Sequence, residues 1–216
     1  MSSNGNTRDV VLGPPPPVTR SSASLLDTDN TPASFWITHP TNYFSGNVAA
    51  GSQHYGFWFD LQSHATGPST DTSICPRGSP VGSFENNRAH SNGRYGLRIF
   101  NEWIPRADPC GSGSGTNPLV PTELVNFTSY KNGRSGAIGS KIGDIRFRNF
   151  RLADNQKAGI EVTDVVGGYR GGPGVYGALI IAASENQRSP RGIGVWLAQS
   201  ENFTAAGTTV GLEPEP

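Results

Sequence analysis

Residues 44–59, FSGNVAAGSQHYGFWF, lie over residues 84–99, FENNRAHSNGRYGLRI, without a gap at an offset of 40. The two stretches share Phe44/Phe84, Asn47/Asn87, Ala49/Ala89, Tyr55/Tyr95 and Gly56/Gly96. A third copy, NGRSGAI at 132–138, keeps the same offset from NGRYGLR at 92–98. The fourth, FRNFRLADNQKAGIEV at 147–162, aligns with the second end to end, and a weaker fifth closes in RGIGVWL at 191–197. Self-similarity at a fixed step marks a repeat architecture, in which each unit buries its apolar face against its neighbours.

The copies carry a glycine column, Gly56, Gly96, Gly136, Gly159 and Gly192, each before a short alternating run. Period-two patterning predicts strands with Phe57/Phe59, Leu97/Ile99, Ile160/Val162 and Ile193/Val195 inward and Trp58, Arg98, Glu161 and Gly194 outward. The third run, Ala137-Ile138-Gly139, departs from this alternation. Asn and Gly ahead of each strand predict equivalent, stacked turns. Asn132 to Asn155 is 23 residues and Phe35 to Phe57 is 22, which suits one three-sided coil of short strands. The 40-residue steps then predict coils carrying insertions, near 62–82, 101–122 and 163–175, where Gly, Pro and Ser concentrate. A leucine-rich repeat would need a Leu-x-x-Leu-x-Leu order that is absent. A propeller blade does not fit the 23-residue step, and a β-sandwich gives no reason for so close a repeat. The expected fold is all-β, a right-handed single-stranded parallel β-helix with inserted loops. It spans 25–210, after a linker-like leader at 1–24 and before a tail at 211–216.

Composition agrees. Of 216 residues, 34% are hydrophobic and 16% charged, with 28 Gly and 17 Pro, which favours strands and turns over long helices. Zero formal net charge gives no general field for nucleic acid, which is therefore not an expected partner. No apolar run approaches the roughly 18–20 residues of a membrane span, so no membrane insertion by this chain is expected. The opening MSSNGNTRDVVLGPPPPVTR lacks the order of a signal peptide. Cys75 and Cys110, both in Pro/Gly/Ser-rich stretches, are too few for a metal cage and either form a disulfide or stay as loop thiols. Asn126-Phe127-Thr128 and Asn202-Phe203-Thr204 fit the N-glycosylation acceptor pattern, at the frequency chance gives in so Asn/Ser/Thr-rich a chain.

Residues 33–61, ASFWITHPTNYFSGNVAAGSQHYGFWFDL, carry a family resemblance. The Phe-Trp-Ile-Thr-x-Pro string, followed by Ala-Ala-Gly-Ser and Gly-Phe-Trp, resembles the parallel β-helix region of the fibrocystin-like (polyductin) cell-surface proteins. That region is shared with the hyaluronan-binding family of the cell migration-inducing protein and its transmembrane relative. The resemblance implies a segment of a larger extracellular, cell-surface or ciliary-surface protein, with a G8 domain ahead of the β-helix. The present sequence has no such domain before it, and His39 stands where the family commonly has Asn. No catalytic residue is carried over from the family.

In a β-helix, residues at one coil position form a ladder. His54, Arg94, Arg134 and Lys157, each two before a glycine of the column, form a basic column about 5 Å apart per coil. Such a column suits the carboxylates or sulfates of an extended acidic polysaccharide, and equally a row of solvated turn residues. Ser52, Asn92, Asn132 and Asn155 form a second ladder, and it is structural: stacked amides hydrogen-bond along a solenoid. The same reading covers Asn47 and Asn87. Trp36 and Trp58, outward on successive coils, offer either a surface for sugar rings or a face covered by another part of the protein. A glycosidase needs paired carboxylates about 5–9.5 Å apart. Asp60 and Glu102 are the weak candidates among Glu85, Asp144, Asp154, Glu161 and Asp164. A lyase would place a base near a cation, for which His90 with Arg94 or Arg98 is the nearest approximation. No cofactor and no metal ligand set is expected.

Two functions are thus carried forward. The first is a non-catalytic β-helix scaffold, glycoprotein in character, contacting an acidic polysaccharide or an extracellular protein. The alternative is a polysaccharide hydrolase or lyase acting on an acidic glycan such as hyaluronan.

Overall fold

The structure is a computed structural model that describes residues 31–113, 115–167, 172–184, 192–198 and 202–212. After β1 (Ala33–Ile37), the chain passes three times per coil through short strands. These are β2 (Tyr43–Ser45), β3 (Val48–Ala50) and β4 (Tyr55–Asp60); then β5 (Ser83–Glu85), β6 (Arg88–His90) and β7 (Tyr95–Phe100). Next come β8 (Thr122–Val125), β9 (Thr128–Tyr130) and β10 (Ala137–Gly139), then β11 (Ile145–Arg148), β12 (Arg151–Ala153) and β13 (Ala158–Val162). The series ends with β14 (Gly174–Tyr176), β15 (Leu179–Ala183), β16 (Ile193–Leu197), β17 (Thr204–Ala206) and β18 (Thr209–Leu212). They assemble into three six-stranded sheets, β1-β4-β7-β10-β13-β16, β2-β5-β8-β11-β14-β17 and β3-β6-β9-β12-β15-β18. Every strand-to-strand pairing in them is parallel, which makes the molecule a parallel β-helix, the fold the repeat predicts. The leader at 1–24 lies outside the described residues, and strand β18 takes in Gly211 and Leu212.

The inward residues form one apolar core along the axis. Phe57, Phe59, Leu97, Ile99, Ile160 and Val162 are fully buried within it. Aromatic rings run through it from coil to coil: Phe35 stacks on Phe57 at 4.6 Å, and Phe84, Phe127 and Phe150 follow at 5.6 and 5.3 Å. The buried asparagines close the ladder read from the sequence. Asn92 Nδ2 donates to Asn132 Oδ1 at 3.0 Å and Asn132 Nδ2 to Asn155 Oδ1 at 2.8 Å, while each Oδ1 also accepts the backbone N–H of the coil before. Ser52 N donates to Asn92 Oδ1 at 3.1 Å, and Asn47 N to Asn87 Oδ1 at 2.9 Å. A side-chain amide offers both a donor and an acceptor, so a stack of them satisfies buried turn groups that an apolar residue would leave unpaired.

Three readings are corrected. The left-handed backbone lies not at the glycine column but at two corners. Gly46, Asn86, Asn126, Asn149, Gly177 and Gly207 occupy one of them, and Gly51, Ser91, Lys131 and Asp154 the other, all with positive φ. The strand glycines are required by space instead. A Cβ on Gly56 would lie 2.5 Å from Gly96 O, and one on Gly136 2.8 Å from Gly159 O. The fifth copy is shifted by two, since Ile160 pairs with Val195, and it is Gly194 whose carbonyl crowds Gly159. Gly192 precedes the strand with φ +52°. The third run keeps the alternation after all, because Ala137 and Gly139 point inward opposite Leu97 and Ile99 while Ile138 lies opposite Arg98 on the outer face.

The corner between second-sheet and third-sheet strands takes two residues in each described coil: 46–47, 86–87, 126–127, 149–150, 177–178 and 207–208. Length varies mainly after the first sheet, in the connections 61–82, 101–121, 140–144 and 163–173. The first two pack on each other. Trp103 is fully buried and stacked on Phe59 at 4.7 Å, and its Nε1 donates to Ser79 O at 2.8 Å. Cys75 and Cys110, one in each connection, are joined in a disulfide.

Candidate functional site

The outer face of the first sheet gathers most of the candidate residues. Strand register places Trp36, Trp58, Arg98, Ile138, Glu161 and Trp196 in one outward column. Trp58 is only 8% exposed, although it points away from the core. The cause is stacking on the same face. Trp36 lies against it at 5.3 Å with planes 7° apart, Tyr55 packs at 5.2 Å, and the Arg98 guanidinium carbon sits 5.2 Å from the indole centroid. The indole faces therefore cover each other, which corrects the expectation of an open Trp58 surface for sugar stacking.

The four basic residues do stack. Arg94 N donates to His54 O at 2.8 Å, Arg134 N to Arg94 O at 2.7 Å and Lys157 N to Arg134 O at 2.9 Å. They are not equivalent. Lys157 Nζ pairs with Glu161 Oε2 at 2.5 Å and lies 3.8 Å from the Trp196 ring centroid. Glu161 is buried, with its other oxygen accepting from Ser135 Oγ, so Lys157 is engaged in holding a buried carboxylate. Arg134 donates only to the Tyr95 hydroxyl, at 3.3 Å, and that contact raises its pKa above the ordinary guanidinium value. Arg94 and Arg98 make neither an ion pair nor a side-chain hydrogen bond among the described residues. Arg98 lies among rings instead, its guanidinium carbon 4.5 Å from the Tyr55 centroid and 4.1 Å from that of Phe100. Burial, aided by the charges of Arg94 and Arg98, lowers the pKa of His54, which disfavours a positive charge at the top of the column.

The carboxylate candidates are each engaged separately. Asp60 Oδ2 accepts from Trp36 Nε1 at 3.0 Å and Oδ1 from Gln62 at 3.3 Å. Burial raises its pKa, opposed by the Trp36 hydrogen bond and by Arg98 and Arg77. Glu102 binds Arg77 at 3.2 Å and Lys141 at 2.9 Å. Its partial burial pulls the pKa up, but Lys141 and Arg77 outweigh that and hold it below the ordinary value. His90 stands on the third sheet, stacked on Tyr130 at 4.9 Å, away from the outward column that contains Arg98. Asn126 and Asn202 are exposed corner residues, and Asn126 Nδ2 donates to Asn86 Oδ1 at 3.1 Å. No group of three or more potential metal ligands occurs among the described residues. No described helix is long and apolar enough to cross a membrane.

Sequence reading missed Tyr55 and Tyr95 as the floor of this face, because alternation from Phe57 would turn Tyr55 inward. Gly56 breaks the alternation: with no side chain, it lets two successive inward positions fit against Ala89 and Asn92. The pairing of Lys157 with Glu161, four residues apart along the entry to β13, was also missed.

Residues 14–97, which include β1 and β4 of this face, match the family model described as the CEMIP beta-helix. Its β-helix is of the CEMIP and fibrocystin-like kind. Fibrocystin-L of Mus musculus is 39% identical over 162 residues, covering 75% of this chain and 4% of the relative. The cell migration-inducing and hyaluronan-binding protein of Mus musculus is 35% identical over 159 residues, 64% of this chain and 11% of the relative. A cell surface hyaluronidase of Danio rerio is 34% identical over 137 residues, 54% of this chain and 10% of the relative. The CEMIP-type β-helix thus spans only a small part of each of these proteins.

Proposed function

We propose that this CEMIP-type β-helix is a rigid, non-catalytic segment of a cell-surface or extracellular protein whose first-sheet face contacts an acidic polysaccharide. The observation carrying this reading is that Arg94, Arg98 and Arg134 share one face and form no ion pair with a carboxylate among the described residues. The acids around them are held by other donors: Asp60 by Trp36 and Gln62, Glu102 by Arg77 and Lys141, Glu161 by Lys157 and Ser135. Unneutralised cations stacked one coil apart present positive charge along a line, which an extended polyanion matches better than a compact ligand does. Relatives named for hyaluronan binding and hyaluronidase activity support the choice of polymer, and the disulfide supports an oxidising compartment.

The test is retention on immobilised hyaluronan. Binding is expected to weaken with added salt and to be lost in Arg94→Glu/Arg134→Glu, while the protein leaves hyaluronan chain length unchanged. Retention indifferent to both salt and charge reversal refutes the contact face. Chain shortening that is abolished by Asp60→Asn or Glu102→Gln refutes the non-catalytic reading.

A further inference from the structure

On the face around Arg98 two buried polar atoms, Trp58 Nε1 and His54 Nδ1, have no hydrogen-bond partner among the described residues. Trp36 Nε1 donates to Asp60 in the next coil. Trp36 lies beside Trp58 and Asp60 beside Phe100, so the residue that serves Trp58 as Asp60 serves Trp36 is Phe100. Phenylalanine carries no acceptor, and Trp58 Nε1 is closed to solvent with no hydrogen-bond partner. His54 Nδ1 is likewise buried and unpartnered, and its ring packs on Tyr55 at 5.5 Å. Over the Tyr55 and Trp58 rings lies the Arg98 guanidinium, which has no anion of its own. An unsatisfied buried donor is unfavourable, and native structures keep few of them. Here two such atoms lie on one face, on residues that pack with the Tyr55 ring over which Arg98 sits.

We infer that Arg98 is the centre of a carboxylate subsite that seats the uronate group of an acidic sugar. The inference rests on the glycan reading above and names the part of the ligand that reading leaves open. Arg98 lifts from the rings to pair with the carboxylate through its two parallel N–H groups, and the Trp58 Nε1–H, closed off in the free protein, donates to a remaining lone pair once the ligand is seated. The flat walls of Tyr55, Trp58 and Phe100 fit a planar group better than a tetrahedral one. Lysine would not replace Arg98, because a point charge has neither the fork nor the ring-stacking plane.

The experiment titrates the protein with sodium glucuronate and follows the indole N–H resonances of its four tryptophans, Trp58→Phe identifying one of them. The Trp58 resonance is expected to move saturably, and sodium sulfate at matched ionic strength to leave it in place. Both Arg98→Gln and Arg98→Lys should weaken glucuronate by roughly tenfold or more, with thermal unfolding confirming that each variant is folded. A static Trp58 resonance, or an equal response in the Arg98 variants or to sulfate, overturns the subsite. A larger response to a short Asp/Glu peptide than to glucuronate overturns it in favour of a protein partner. The two readings fail separately. Hyaluronan retention lost in Arg94→Glu/Arg134→Glu but unchanged in Arg98→Gln sinks the subsite alone, whereas glucuronate binding at Trp58 without polymer retention sinks the extended contact face alone.

Discussion

Replacing Gly96 with alanine isolates the reason for the strand glycines. An added Cβ would lie 2.7 Å from Gly136 O and 3.1 Å from Asn132 Nδ2, with Ser129 Oγ closer still. Gly136 O belongs to the next coil's backbone and cannot swing aside, so the strands must separate or tilt. Overpacking of this kind costs about 1–3 kcal/mol. The Ser129 hydroxyl would also be driven from its place between Gly136 O, to which it donates at 3.0 Å, and Asn132 Nδ2, from which it accepts at 3.0 Å. Leaving those buried groups unpaired adds about 1–3 kcal/mol. Together the loss is about 2–6 kcal/mol. Gly46→Ala supplies the contrast: its φ is +69°, yet nothing lies within 4 Å of the new Cβ, so only the left-handed backbone is penalised, by about 1–2 kcal/mol. In equilibrium urea unfolding with a slope of about 2 kcal/mol per molar, the midpoint should fall by about 1–3 M for Gly96→Ala and by about 0.5–1 M for Gly46→Ala. Equal shifts, or a larger one for Gly46→Ala, would refute the steric account and return the column to a turn requirement.

Lys157→Met leaves the buried Glu161 carboxylate without its cation and should cost about 3–5 kcal/mol in urea unfolding. Arg94→Glu, with no partner to lose, should stay within about 0.5 kcal/mol of the parent; a large loss there would mean Arg94 is structural. Cys110→Ser opens a cross-link of 35 residues. The lobe at 61–82 and 101–121 should then be cut first in limited proteolysis, at a loss of about 3–4 kcal/mol for that unit, while the coils resist. Asp60 and Glu102 should tilt the pH profile in opposite senses. With its folded pKa raised, Asp60 favours the folded state while protonated, and that advantage disappears as pH rises from the unfolded carboxylate value through the raised one. Glu102, with its folded pKa lowered, contributes stability that is lost as pH falls through the carboxylate range. Differences in melting temperature between the parent and Asp60→Asn or Glu102→Gln, scanned from acid to neutral pH, should slope in opposite directions; parallel slopes contradict the assignment.

Much of the fold was legible because a solenoid writes its register into the chain. Asn92, Asn132 and Asn155 fall at one coil position, and the amide ladder needs them there. The fifth copy misled because Gly192 and Gly194 stand two apart, the same interval as the strand alternation, so local pattern fits either one. Only the contact between Gly159 and the Gly194 carbonyl, a relation between coils, decides. Outward direction was read correctly for Trp58 but exposure was not, since cover comes from Trp36, Tyr55 and Arg98 on the same face. The union of Cys75 with Cys110 was one of two readings the sequence left open, and it could not choose between them because the two connections that carry the cysteines do not share the repeat. At the candidate site the cations were visible and their neutralisation was not. Lys157 looks like Arg94 in the column until Glu161 and Ser135 are placed around it.

The unvarying two-residue corner between the second and third sheets also determines where such a chain tolerates insertions and deletions. One extra residue beside Asn126 would reverse the facing of every side chain in the strand that follows, turning Ser129 out and its neighbours in. Twenty extra residues after the first sheet change nothing downstream, as the fully buried Phe57, Leu97 and Ile160 show on coils of very different length. The rod therefore has its main splice edge after the first sheet, along which segments can be gained, traded or grafted while the spacing of the outward columns stays fixed.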